Sequence, residues 1–245
     1  LENGYVVVKD DKIIAVGTGD VYKNYLENHT AVVDATGLVM TPGLVDSHTH
    51  LVHAGSREHE LTMKLEGYSY LDILKAGGGI LNTVKKTRKA SFTELYDKAK
   101  KSLDIMLSYG TTTVEAKSGY GLDFDTEVKQ LEVAKKLNDT HPVDIVSTFM
   151  GAHAYPSDYK DNHEAFIETV IDIMPYIKEH GLAEFCDVFC ERDVFSYEES
   201  LYLLEKAKEY GFMLKIHADE MDSIGAVDIA CMLGCVSADH LVETK

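Results

Sequence analysis

Hydrophobic positions follow two different periods along this chain. Tyr5 to Val8 and Lys12 to Val16 are apolar, β-branched runs separated by Lys9-Asp10-Asp11, which predicts a β-hairpin. Strand character resumes from Val32 to Met40 around Gly37, and Thr41-Pro42-Gly43 then breaks the pattern. The break marks a domain boundary, with a small β-segment over residues 1–42 and a second unit over residues 43–245.

From Leu44 onward short apolar strands alternate with amphipathic helices, the signature of βα units laid on a parallel sheet. The predicted strands run from Leu44 to Leu51, Thr112 to Lys117, Asp144 to Ala152, Phe185 to Cys190, Met213 to Ala218 and Val236 to Leu241. Ser91-Phe-Thr-Glu94 and Ser196-Tyr-Glu-Glu199 are capping-box patterns that start helices, and Gly110 and Gly211 follow the last turns of two of them. Leu95, Ala99, Leu103 and Met106 mark one apolar helix face, and Val128, Leu131, Ala134 and Leu137 mark another. Such stripes are packing surfaces. Pro175 falls inside the helix predicted from Asn162 to His180 and is expected to kink or split it.

In a parallel barrel, catalytic groups come from the C-terminal strand ends and the loops after them. Polar residues crowd those ends here: His48 and His50, then Glu115 and Lys117, His153, Glu191 and Arg192, His217 with Asp219 and Glu220, and Asp239 with His240. His48 and His50, two apart on a strand, would face the same side with Cα atoms roughly 6.5 Å apart, close enough to converge on one metal. His217 arrives at the exit of an apolar strand and is the natural third ligand. No Lys ends the strand from Phe185 to Cys190, where a bridging modified lysine of two-metal enzymes would stand, so one divalent ion, Zn or Fe, is expected.

Composition narrows the setting. A chain of 245 residues with 45% hydrophobic content can bury a core without a disulfide or metal staple. Lys plus Arg number 24 against 41 Asp plus Glu, a net charge of −17, which argues against nucleic acid and anionic membrane surfaces as partners. No apolar run approaches the roughly 18 residues that span a bilayer, and the first residues lack a signal-type pattern, so a cytoplasmic location is expected. Cys186, Cys190, Cys231 and Cys235 are spaced unlike a closed zinc site and read as reduced packing residues.

These residues resemble the amidohydrolase superfamily, and within it the imidazolonepropionases. The resemblance rests on Pro-Gly-Leu-Val-Asp-Ser-His48-Thr-His50, Arg57-Glu, Tyr70, Lys-Ala-Gly-Gly-Gly, Glu115-Ala-Lys-Ser-Gly-Tyr120-Gly-Leu, Gly-Ala-His153, Lys-Ile-His217-Ala-Asp-Glu220 and Ser-Ala-Asp-His240-Leu. It implies a (β/α)8 TIM-type α/β barrel and hydrolysis of the cyclic amide-like C–N bond of 4-imidazolone-5-propanoate to N-formimino-L-glutamate by metal-activated water. His48, His50 and His217 would hold the metal. Arg57, Tyr70, Tyr120 and His153 would contact the substrate, with Arg57 offering its planar fork to the propionate carboxylate. Glu220 and His240 would shuttle protons and polarise the substrate, with the base unassigned between them. The competing reading of Arg57 is an ordinary salt bridge with Glu58 or Glu60.

The family pattern also places a metal-binding Asp at the end of strand eight. Here the chain ends at Lys245, after about six βα units, and residues 1–42 form only the N-terminal part of the small β-sandwich domain. The expectation is a fragment, inactive or nearly so alone, whose open barrel edges favour aggregation or pairing with another chain; a homodimer is the oligomer expected. Two other readings stay open: a heterocycle deaminase of the guanine type, and a non-enzymatic metal-binding protein on a decayed barrel.

Overall fold

The alternation of residues 4–18 becomes an antiparallel hairpin in which β1, Gly4–Lys9, pairs with β2, Lys12–Thr18, through a turn at Asp10, whose φ of 57° lies in the left-handed region. This computed structural model describes residues 2–68, 72 and 78–245, so Tyr70 and part of the 77–79 glycine run lie outside the described residues. A 3-10 helix over Gly19–Tyr25 follows the hairpin. No strand forms from Val32 to Met40. Asp34 accepts hydrogen bonds from the Thr36 amide and hydroxyl, the Leu38 amide donates to Ala35 O, and Gly37 takes a φ of 79°. That turn cuts the apolar run into two pieces, each too short to make a ladder, and leaves Val33 and Val39 largely exposed. Residues 2–42 therefore carry a two-stranded sheet with no second layer among their described residues.

The chain divides into two compact units, Leu1–Pro42 and Gly43–Lys245. The second is an α/β layer structure on a six-stranded, all-parallel sheet in which every strand lies beside its neighbour in sequence. Its strands are β3, Leu44–Asp46; β4, Thr111–Lys117; β5, Asp144–Ala152; β6, Phe185–Cys190; β7, Met213–Ala218; and β8, Ser237–His240. The helices are α1, Glu58–Leu65; α2, Ile80–Lys89; α3, Phe92–Ser108; α4, Phe124–Thr140; α5, His163–Glu179; α6, Tyr197–Glu209; and α7, Ala226–Leu233. Consecutive parallel neighbours joined by helices make this part of a (β/α) barrel wall.

Local chemistry sets the ends of these elements. Ser91 and Ser196 each close a complete capping box at the start of α3 and α6, with Glu94 and Glu199 as partners. Gly110, at φ 93°, and Gly211, at φ 83°, turn the chain out of those helices into β4 and β7. Pro175 does not split α5, which runs unbroken over 17 residues. The ring removes one backbone donor, but Ile171, Met174 and Ile177 are buried around it and their packing holds the helix together.

The core follows the helical stripes: Leu95, Ala99 and Leu103 of α3 and Ala134 and Leu137 of α4 are buried together with Val114 and Ala116 of β4, Met106 is only partly buried, and Val128 and Leu131 are buried in a second cluster. A larger cluster joins Phe149, Phe166, Met174, Val188, Phe195 and Ile216. Cys186 and Cys190 are buried in that cluster as free thiols, and Cys231 and Cys235 are free as well. Strand β3 is shorter than the predicted run from Leu44 to Leu51. The segment after Asp46 stays beside β4 through the Lys117 amide, which donates to Thr49 O at 2.9 Å, and through the Thr49 hydroxyl on Glu115 O. His48 and His50 thus ride on an irregular extension of the strand.

Candidate active site

The C-terminal ends of the six strands bring the histidines together. His48 follows β3, His217 lies in β7 and His240 ends β8, and the ligand-capable atoms of the three lie within 4.8 Å of one another. Their ring centroids are 4.7 Å apart for His48 and His217, 5.0 Å for His48 and His240, and 5.0 Å for His217 and His240. His50 sits alongside, with its centroid 5.8 Å from that of His48 and 5.9 Å from that of His217. It falls outside the tight three-residue group, because its Nδ1 is drawn to Ser118 O at 3.2 Å and its ring stacks on His153 at 4.6 Å. Among the described residues, the expected ligand set of His48, His50 and His217 is thus gathered less tightly than His48, His217 and His240.

His153 donates through Nδ1 to Gly119 O at 2.9 Å, and burial, reinforced by His217, pushes it down to about 3, so its ring is neutral near pH 7. Burial, then His153 and His217, also pulls His50 well below its ordinary value. Tyr120 lies against both, with ring centroids 5.2 Å from His50 and 5.1 Å from His153, and burial raises its hydroxyl despite the neighbouring Arg57. Arg57 also grips Glu60 in a two-point contact, Nε to Oε1 at 2.9 Å and Nη2 to Oε2 at 2.7 Å. The salt bridge set against a substrate clamp is therefore present, and the same guanidinium stands beside Tyr120.

Glu220 comes within 3.6 Å of His240 Nε2, so the two residues expected to handle protons adjoin each other and the three-histidine group. Burial lowers His240 against the opposing pull of Glu220. Asp219, immediately before Glu220, takes a φ of 50°, and its Oδ1 is buried with no hydrogen-bond partner among the described residues.

Below the histidines lies an ion cluster. Lys117 Nζ is 2.6 Å from Asp187 Oδ2 and 3.0 Å from both Glu115 Oε1 and Asp239 Oδ2, and the Lys117 side chain is wholly buried. Lys215 joins it at 2.8 Å from Glu115 Oε1. Asp187 Oδ1 faces His217 Nδ1 at 3.0 Å, and Asp239 Oδ2 faces His48 Nδ1 at 2.9 Å. Burial would raise Asp239, but the hydrogen bond from His48 and the Lys117 charge bring it down to about 2. Burial works the same way on Asp187, which His217 and Lys117 hold far below the usual carboxylate range. Lys117 is lowered by burial and raised more strongly by Asp187 and Glu115. Asp187 gave no clue to a role in the sequence beyond being the one acid in an apolar strand, Phe-Cys-Asp-Val-Phe-Cys.

Glu127 of α4 was equally silent. It is fully buried and accepts from the amides of Gly119 at 3.0 Å, Gly121 at 2.7 Å and Leu122 at 2.9 Å, which fixes the turn that carries Tyr120. A cavity of about 370 Å³ elsewhere, lined by Lys135, Asn138, Ser147, Lys178 and Glu184, lies at the opposite end of the strands and contains no histidine.

The donor chemistry fits a divalent ion. His48 and His217 spend their Nδ1 atoms on carboxylates, which leaves each Nε2 lone pair for a metal, the usual arrangement of an oriented histidine ligand. A parallel sheet carrying such a group at its C-terminal end fits the amidohydrolase-type barrel that the sequence resembles. Solved structures agree at the level of fold: a mutant atrazine chlorohydrolase from Arthrobacter aurescens with zinc and atraton matches with a TM-score of 0.64 and 16% identity, over 96% of this chain and 54% of that one. A 5-methylcytosine deaminase from Klebsiella pneumoniae matches with a TM-score of 0.61 and 14% identity, over 93% of this chain and 51% of that one.

Sequence similarity is more specific, and it makes the chain a homologue of the imidazolonepropionases over nearly its whole length. It is 58% identical to imidazolonepropionase of Fusobacterium nucleatum subsp. nucleatum over 98% of this chain, and 56% identical to that of Streptococcus pyogenes serotype M1 over 99%. The chain spans 58% of the length of each of these relatives. No family model matches it. No helix among the described residues is long and apolar enough to cross a membrane.

Proposed function

We propose that this site serves the hydrolysis of a cyclic amide-like C–N bond in a small carboxylate-bearing substrate, 4-imidazolone-5-propanoate, to give N-formimino-L-glutamate. The observation that carries the reading is the convergence of His48, His217 and His240 within 4.8 Å, with Glu220 at its edge, in a chain so similar to imidazolonepropionases. One divalent ion, Zn or Fe, would be held by His48 and His217, with His50 and His240 beside them. Such an ion supplies Lewis acidity and makes water a nucleophile near neutral pH.

The side chains of the chain supply the rest. Glu220 and His240 adjoin each other at 3.6 Å, and the pair would handle the protons, one taking a proton from the water and the other supplying one to the leaving nitrogen. His153, neutral and fixed by Gly119 O, presents a hydrogen-bonding edge for the ring of the substrate. Tyr120 packs against it, and Arg57 beside Tyr120 gives the propionate a cationic partner. That charge favours an acid over the neutral heterocycle of a deaminase substrate. A cytoplasmic setting, in which the four free thiols stay reduced, accords with this chemistry.

The test is conversion of 4-imidazolone-5-propanoate, followed by loss of the substrate absorbance, in a chain extended to the length of its imidazolonepropionase relatives and loaded with Zn or Fe(II), with the Fusobacterium nucleatum relative as positive control, metal content measured alongside, and little or no turnover expected of residues 1–245 alone. Turnover of guanine in place of the acid would sink this assignment.

A further inference from the structure

The two best-oriented histidines of the site share one anchor. Asp187 receives His217 Nδ1 on Oδ1 at 3.0 Å and Lys117 Nζ on Oδ2 at 2.6 Å. Asp239 receives both His48 Nδ1, at 2.9 Å, and Lys117 Nζ, at 3.0 Å, on Oδ2. Lys117 comes from β4, Asp187 from β6 and Asp239 from β8, alternate strands of the sheet, which is how one layer of a barrel interior is built. A single ammonium thus ties together the carboxylates that set the orientation of both imidazoles.

We propose that Lys117 and Asp187 are positioning residues for the metal site: Lys117 locks Asp187 and Asp239 in place, and these hold His217 and His48 as Nδ1–H tautomers with Nε2 available to the ion. The proposal rests on the metal reading above. Three features support it. A buried ion cluster is a poor source of net stability, since desolvation offsets most of the Coulombic gain, so packing alone does not account for one here. Its charge is also unbalanced: among the described residues the ammonium groups paired with Glu115, Asp187 and Asp239 are those of Lys117 and Lys215, three carboxylates to two cations beside the histidines, which favours a cation there. Lastly, Asp187 Oδ1 also receives the His217 backbone amide at 3.2 Å, so the carboxylate fixes that residue at two points.

The experiment measures Zn(II) affinity by competition with a chromophoric chelator, for the wild-type chain and for Lys117→Met, Asp187→Asn, Lys215→Met and His217→Ala. Removing an orienting partner of a metal-ligating histidine typically weakens affinity about 10- to 100-fold, and that loss is expected for Lys117→Met and Asp187→Asn. Lys215→Met removes a buried ammonium of the same cluster that contacts Glu115 and neither orienting carboxylate, so its affinity stays within about threefold of wild type by the same reasoning. Unchanged affinity in Lys117→Met and Asp187→Asn, beside lost binding in His217→Ala, overturns the positioning role and leaves the metal reading standing. Unchanged affinity in His217→Ala overturns the metal reading itself. A second measurement needs no variant: side-chain proton–nitrogen correlation spectra of the metal-free wild type should show His48 and His217 as Nδ1–H tautomers. An Nε2–H tautomer at either ring overturns the proposal even if every variant fails to fold.

Discussion

Replacing Glu127 by alanine should loosen the Tyr120 turn and destabilise the whole unit. The carboxylate accepts three backbone amides, from Gly119, Gly121 and Leu122, and no other acceptor for these donors is present among the described residues. Each hydrogen bond to an ionised group contributes about 1.5–3 kcal/mol, so a simple sum reaches roughly 4.5–9 kcal/mol. Two effects reduce it. Removing the side chain leaves a polar hole that a water can enter and partly satisfy. The buried charge is itself costly: burial raises the Glu127 carboxyl above its ordinary value in spite of the three amides. The net cost is then about 2–4 kcal/mol, which for a unit of this size lowers Tm by roughly 4–16 °C. Denaturant unfolding gives the first number, and hydrogen exchange at residues 119–122 locates it. The turn is also held from its carbonyl side, where Arg88 donates to Gly121 O at 2.7 Å and Leu122 O at 3.0 Å, so it should loosen without unravelling. A cost under about 1 kcal/mol with unchanged exchange at 119–122 would refute the reasoning, because three buried amides would then have been worth no more than one.

Acid should unfold the barrel unit through its ion cluster. Asp239 has its carboxyl lowered to about 2, and the sign is that of a depressed acid: its contribution is complete above the unfolded value near 4 and is lost as pH falls through about 2. Stability measured between pH 5 and pH 2 should fall by about 2 kcal/mol from this residue, and Asp239→Asn should flatten that slope. In a chain extended to the length of its relatives, Arg57→Met should raise KM for the acidic substrate about 10- to 100-fold with a smaller change in kcat, the loss expected of one charge-assisted contact; an unchanged KM would count against a carboxylate clamp. Glu220→Gln should retain the metal, measured by elemental analysis, while kcat falls by about 100-fold or more, as for the loss of a proton-transfer group. Retained kcat would remove Glu220 from the chemistry.

Buried parallel strands were the most legible part of the molecule. Asp144–Ala152, Phe185–Cys190 and Met213–Ala218 occupy the residues that their apolar runs mark, because such strands are covered on both faces and carry continuous hydrophobic sequence between helix caps. The same reasoning failed from Val32 to Met40, where the residues are β-formers but an Asp34 turn intervenes and, among the described residues, no strand pairs with them. Apolarity predicts a strand only where a partner edge is available. Pro175 was read by a local rule that predicts a kink or a split; the split does not occur, because burial of the surrounding face holds the helix in one piece.

The site was legible in its ligands and not in its supports, and the difference has a physical cause. A histidine at a strand exit announces itself, since few packing roles place four of them at one end of a sheet. The groups that orient them are chosen by through-space geometry between strands far apart in sequence: Lys117 reaches Asp187 and Asp239 only because β4, β6 and β8 curve toward a common interior. Asp187 sits in a strand that otherwise reads as pure core, yet an ionised acid cannot be buried without a partner, so its presence in Phe-Cys-Asp-Val-Phe-Cys already called for a cation, or a set of amides such as Glu127 has, inside the barrel. Only the fold could say that the cation is Lys117, and that the other oxygen of the same carboxylate holds His217.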